Sequence, residues 1–153
     1  MLDYKKEEIV VMRFSIFTPT HKPTFIGEAF ETLLAQTFTD WEWVIVPNGT
    51  AVIPDHIAKH PQVRVVRAPD EVAVKGVGSL KRFACENCQG ELFVELDHDD
   101  LLTPDALQVI DARAHATNAG FLYSDFTNFR ADHSCQVFIA SHGWESYPFN
   151  WQD

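Results

Sequence analysis

From Arg13 to Tyr123, short apolar runs alternate with segments of helical period, and this alternation constrains the fold more than any other feature of the chain. Residues 13–18 read as a first strand ending in the turn-rich loop Pro19-Thr20-His21-Lys22-Pro23. Thr24 is placed to cap a helix over residues 25–36, where Phe25, Ile26, Ala29, Phe30, Leu33 and Leu34 recur at helical spacing. Residues 41–46 form a second strand stopped by Pro47-Asn48-Gly49. A short helix over 53–59 and a third strand over 63–66 follow. Gly76-Val77-Gly78-Ser79 opens a helix to about Cys88, with Gly90 as its stop. Residues 92–96 form a fourth strand. Thr103-Pro104-Asp105 starts a helix to about Thr117, closed by Asn118-Ala119-Gly120. Residues 121–123 read as strand five. Residues 126–130 and 136–139, around the polar turn 131–134, suggest a hairpin. Alternating strands and helices join as parallel βαβ units, so the chain is expected to be α/β: a mostly parallel, Rossmann-like sheet flanked by helices, with a short C-terminal β-hairpin. Such sheets bind ligands beyond the carboxyl ends of their strands.

The 153 residues suit one domain with a real core. A net charge of −10 argues against a nucleic-acid or anionic-membrane binder. No run approaches the roughly 18 apolar residues of a membrane span. The charged N-terminus does not read as a secretion signal. The 3 cysteines, an odd number, suggest reduced thiols and a cytoplasmic setting.

At the carboxyl end of the fourth strand stand Glu95-Leu96-Asp97-His98-Asp99-Asp100. Adjacent carboxylates raise one another's pKa and weaken a fold unless a cation compensates. A hard divalent ion takes one or two carboxylates and completes its shell with water and substrate phosphates. The cluster therefore points to a metal–phosphate site.

Several stretches in order carry a family resemblance: Phe14-Ser15-Ile16-Phe17-Thr18-Pro19-Thr20, Leu33-Leu34-Ala35-Gln36-Thr37-Phe38, Trp43-Val44-Ile45-Val46, Asp97-His98-Asp99-Asp100 with Thr103-Pro104, and Tyr123-Ser124-Asp125. Together they resemble the family-2 glycosyltransferases, inverting enzymes with a GT-A fold that binds nucleotide-diphospho-sugars. The resemblance implies transfer of a sugar from a metal-bound donor, a UDP-sugar, to a saccharide or lipid-linked acceptor. It implies that Thr18, Pro19 and Thr20 line the nucleotide pocket, and that Asp97-His98-Asp99 is the DxD motif. Asp99 is then a ligand of Mn²⁺ or Mg²⁺, and Asp97 contacts the ribose or the metal. His98 is grouped with the donor-binding residues, its ring turned from the ion. Asp100 stands behind as a capping group. A basic residue of the preceding helix, Lys81 or Arg82, lies near the pyrophosphate or the base.

Two departures bear on function. The family commonly has acidic residues after strand two, where this chain has Asn48, whose amide offers both donor and acceptor to a base edge. The family's acceptor-binding half, which carries the catalytic base, has no counterpart motif, and Asp125 is the one candidate base at a strand end. Residues 1–153 are thus expected to be a single donor-binding domain lacking the acceptor half. A catalytically incomplete nucleotide-sugar-binding or assembly module is the alternative. A nucleotidyltransferase is disfavoured because the loop after strand one lacks glycines.

Plainer readings stand beside these. Thr18, Thr20 and Asn48 suit turn and capping roles, and Lys81 and Arg82 suit an exposed helix face. Cys85 and Cys88 have CxxC spacing but lie inside a helix and lack a second pair, so they read as buried thiols. Trp144, Tyr147, Phe149 and Trp151 are expected to cover the sheet or make a homodimer contact.

Overall fold

The structure, a computed structural model, describes residues 12–117 and 119–124, with the backbone of residues 126–129 and 135–139. The chain divides into two compact units, Met1–Ala112 and Arg113–Asp153.

In the first unit, β1 (Phe14–Thr20), β2 (Trp41–Pro47), β3 (Val63–Val65) and β4 (Leu92–Glu95) form one parallel sheet in the order β3-β2-β1-β4. The helices between them are α1 (Ile26–Leu34), α2 (Asp55–Ala58), α3 (Asp70–Ala73) and α4 (Val77–Glu86), and α5 (Ala106–Thr117) follows β4. Period-two alternation divides the strands between two faces. Phe14, Ile16, Trp41, Trp43 and Ile45 pack against Ile26, Ala29, Phe30 and Leu33 of α1, Ile57 of α2 and Leu107 of α5. Phe17, Val44 and Val46 pack on the other face against Leu80 and Ala84 of α4. Burial on both faces is what an all-parallel sheet requires, and every residue of β1 and β2 is buried.

The chain winds outward from β1 to β3 and returns to place β4 on the far side of β1. The switch point between β1 and β4 is where such sheets open a ligand crevice. The register shows where pairing at this point ends. β4 pairs Phe14–Phe17 of β1 and then stops, so Thr18, Pro19 and Thr20 run past their last β4 partner. Pro19, which has no N–H to give to a ladder, stands in this overhang, paired with β2 alone.

Buried polar groups hold the opposite end of the sheet. Ser15 and its register partner Glu42 are buried, and Ser15 Oγ donates to Glu42 Oε1 at 2.6 Å. Glu42 also accepts from Arg64 Nη1 at 3.1 Å and from the Gln89 amide at 2.7 Å. Gly90 is seated here. Its amide donates to Ser15 Oγ at 2.8 Å, and a Cβ on it would lie 2.7 Å from the Phe14 carbonyl carbon. The glycine expected to stop α4 instead permits close approach of this loop to β1, and α4 ends on Asn87.

Other expectations are corrected. The cap expected from Thr24 is not made: the N-cap of α1 is Phe25, without a side-chain hydrogen bond. Residues 121–123 are not a strand. Phe121 and Tyr123 are exposed and stack on each other with centroids 6.5 Å apart. A run of three apolar residues cannot by itself distinguish a strand from a connection. In the second unit, β5 (Phe126–Phe129) pairs antiparallel with β6 (Cys135–Ile139). The expected turn at 131–134, the aromatic residues Trp144 to Trp151 and Asp125 lie outside the described residues.

Cys85 and Cys88 are free thiols packed against the α4-side core. Burial pushes the Cys88 thiol up from 9.0 to about 11 and raises Cys85, with the charge of Glu95 adding to the latter. Both should therefore react slowly with iodoacetamide in the native protein at pH 8. Because the folded form holds its proton more tightly than the unfolded form, the stability tied to Cys88 is present below the ordinary thiol range and is lost as pH rises through about 11. Alkylation followed by mass spectrometry across pH checks this. Fast labelling of native Cys88 at pH 8 would contradict it.

Candidate functional site

The crevice edge is built by β1 and fixed through Leu96, the residue before the acidic motif. Trp43 Nε1 donates to Thr18 Oγ1 at 2.8 Å, and Thr18 Oγ1 donates to the Leu96 carbonyl at 2.5 Å. The Leu96 amide donates to the Phe17 carbonyl at 3.3 Å. Both backbone groups of Leu96 are thus held by β1, which aims the following residues. Asp97 to Asp100 close a turn in which the Asp100 amide donates to the Asp97 carbonyl at 3.1 Å. His98 and Asp99 occupy its corners. The motif is held from behind through Gln36, whose Nε2 donates to the Thr103 carbonyl at 2.8 Å. Gln36 Oε1 accepts from the Leu107 amide at 3.1 Å, satisfying a free donor in the first turn of α5.

Charge is concentrated in this turn. Partial desolvation, then the charges of Asp97 and Asp99, raise the Asp100 carboxyl from its ordinary value. Lys81 of α4 compensates. β4 pairs Glu95 with Phe17, whose side chain packs on the α4 side, so Glu95 is directed toward that helix. Lys81 Nζ donates to Glu95 Oε1 and lies 3.6 Å from Asp97 Oδ1. The Glu95 hydrogen bond, followed by the charge of Asp97, raises the Lys81 ammonium above its ordinary value against the opposing effect of burial. Arg82 does not share this position. One residue farther around the helix, it pairs with Glu86 at 2.9 Å and is 82% exposed.

The residues singled out from sequence thus separate. Thr18 is a core side chain whose hydroxyl is committed to Trp43 and Leu96, rather than one that lines a pocket. Thr20, register partner of Pro47, is 2% exposed, and its Oγ1 is buried without a hydrogen-bond partner. Its carbonyl accepts from the Asn48 amide at 2.7 Å. Asn48 Oδ1 accepts from the Gly49 amide at 2.8 Å, in a turn where Gly49 has φ 58, a conformation that favours glycine. His98 stands edge-on to His21 with ring centroids 5.7 Å apart, joining the motif to the loop after β1.

Beside Asn48 lies a cleft of about 450 Å³ lined by Pro47, Asn48, Gly49, Arg67, Asp70 and Val74, among others. Arg67 and Asp70 are additions that the sequence reading missed. Arg67 lies just past β3 at the same sheet edge and donates to the Ala51 carbonyl at 3.1 Å. Its position beyond the third strand was the available signal.

Among the described residues no three His, Cys, Asp or Glu side chains converge to hold a metal. The oxygen donors of Asp97 and Asp99 nevertheless suit a hard ion that takes few protein ligands and completes its shell from phosphate.

A four-stranded parallel sheet with a polar, acidic switch-point edge defines the class as a GT-A, Rossmann-like α/β fold. Residues 15–149 match Glycosyl transferase family 2, and the chain belongs to that family. It is 28% identical over 158 residues to chondroitin synthase of Escherichia coli, covering 94% of this chain and 22% of that protein. It is 32% identical over 123 residues to the uncharacterized protein y4gI of Sinorhizobium fredii, covering 72% of this chain and 13% of that one. Among solved structures, S. aureus TarS 1-349 has a TM-score of 0.61 at 24% identity, covering 70% of this chain and 33% of that one. The complex of the same TarS fragment with UDP-GlcNAc gives a TM-score of 0.61 at 23% identity. No helix among the described residues is long and apolar enough to cross a membrane.

Proposed function

We propose that this chain is the donor-binding part of a glycosyltransferase that transfers a sugar, with inversion, from a UDP-sugar to a saccharide or lipid-linked acceptor. The observation that carries the reading is the acidic turn 97–100 at the switch point, where a cation, the Lys81 ammonium, is already drawn to within 3.6 Å of Asp97. Family membership and the complex of TarS with UDP-GlcNAc support the same donor class. In this reading Asp99 and Asp97 hold Mn²⁺ or Mg²⁺, which when bound neutralises the charge that grows on the departing diphosphate. Thr20 offers its unpartnered hydroxyl to the nucleotide. Asn48 and Arg67 line the cleft that takes the base, and Asp70 supplies an acceptor there. Lys81 meets the diphosphate as a point charge.

Incubating the chain with UDP-GlcNAc and Mn²⁺ and measuring UDP release tests the activity. Metal-dependent release supports the transferase reading. The chain spans 22% of chondroitin synthase and 33% of TarS 1-349, and the alternative reading is a nucleotide-sugar-binding module. Tight binding of UDP-GlcNAc with no UDP release would assign it to that class.

A further inference from the structure

We infer that Glu95 is a positioning residue that holds Lys81 off Asp97, and so keeps the metal-binding carboxylate open until the donor arrives. The inference rests on the donor-site reading above but concerns a residue outside it.

The geometry is an unequal sharing of one ammonium between two carboxylates. Lys81 Nζ makes its hydrogen bond to Glu95 Oε1 and stands 3.6 Å from Asp97 Oδ1, close enough for attraction but beyond a hydrogen bond. Nothing in the packing of β4 asks for a charge at position 95. The strand reads Leu92-Phe93-Val94-Glu95, and its last side chain is half exposed. Register explains the placement. Glu95 is opposite Phe17 on the α4 side of the sheet, and Asp97 follows two residues later, so Lys81 reaches both from the same helix.

Without the Glu95 charge, the nearest carboxylate left to Lys81 is Asp97. An ammonium hydrogen-bonded to Asp97 would compete with a divalent ion for the same oxygens. With Glu95 in place, the ammonium remains beside the motif, available to a diphosphate, while Asp97 is left to the metal. Glu95 therefore acts through Lys81 and is not itself a metal ligand.

A double-mutant cycle on Mn²⁺ affinity tests this, read by electron paramagnetic resonance of the free ion, with Mn²⁺ alone and again with UDP present. The set is wild type, Glu95→Gln, Lys81→Met and the double variant. All three changes fall on partly exposed side chains, and circular dichroism verifies folding. Glu95→Gln should weaken Mn²⁺ binding by roughly two- to fivefold, the range that partly exposed ion pairs reach in such cycles. Lys81→Met should strengthen binding of Mn²⁺ alone. In the Lys81→Met background, Glu95→Gln should change nothing, because the group it restrains is gone. Equal weakening in both backgrounds would overturn the inference, since Glu95 would then be a ligand or simply a nearby charge. A wild-type chain that binds Mn²⁺ neither alone nor with UDP would overturn the donor-site reading, and this inference with it.

Discussion

UDP with Mn²⁺ is expected to raise the melting temperature of the wild-type protein, and replacing Asp99 with alanine is expected to abolish that rise. A ligand at about 100 times its Kd stabilises the folded state by about 2.7 kcal/mol, which for a chain of this size is a shift of about 5–10 °C. Asp99 lies at the exposed corner of the turn. Its charge is one of those that raise the Asp100 carboxyl, after partial desolvation and Asp97. Removing it relieves repulsion, so the ligand-free variant should melt at or slightly above the wild-type temperature while losing the ligand response. Differential scanning fluorimetry separates the two effects. A variant that keeps the full Mn²⁺-dependent shift would remove Asp99 from the site.

The largest loss of stability is expected from Gly90→Ala. The added methyl carbon would lie 2.7 Å from both the Phe14 carbonyl carbon and the Ser15 amide nitrogen, and 2.9 Å from Ser15 Oγ. Two of these atoms are backbone of the central strand and cannot step aside. The third is the hydroxyl that accepts from Gly90 and donates to buried Glu42. Overpacking against fixed backbone should cost about 3 kcal/mol, or about 10 °C in melting temperature. Gly49→Ala provides the contrast. Its Cβ meets nothing within 4 Å, and only the positive φ of 58 resists it, so its cost should be about 1 kcal/mol. Equal melting temperatures for the two variants would show that the loop before β4 does not press on β1 as described.

Much of the architecture was legible because its signals are local. The runs at 13–18, 41–46 and 92–96 and the intervening helical periods identify a parallel sheet, and the sheet type places the acidic motif on the ligand edge. What was not legible depends on orientation and distant packing. Thr18 sits in line with Phe14 and Ile16 on the face that meets Trp43, so period two sends it to the core although its neighbours in sequence suggest a loop. Lys81 and Arg82 are adjacent in sequence but about 100° apart around α4. Only the helix phase, set by Leu80 and Ala84 against the sheet, assigns Lys81 to Glu95 and Asp97 and Arg82 to Glu86. Arg67 and Asp70 join the cleft through the path of the chain after β3, which carries no motif. The three-residue run at 121–123 shows the opposite error, a pattern too short to specify a ladder.

The edge formed by β1, β2 and β4 is expected to bind a nucleotide-diphospho-sugar through a metal held at Asp97 and Asp99. Isothermal titration of UDP into the protein, with Mn²⁺ and then with the metal chelated, tests it most directly. Saturable one-to-one binding in Mn²⁺ that is lost on chelation is the expected result. No binding of UDP in either condition, or binding of the same strength in both, would contradict it.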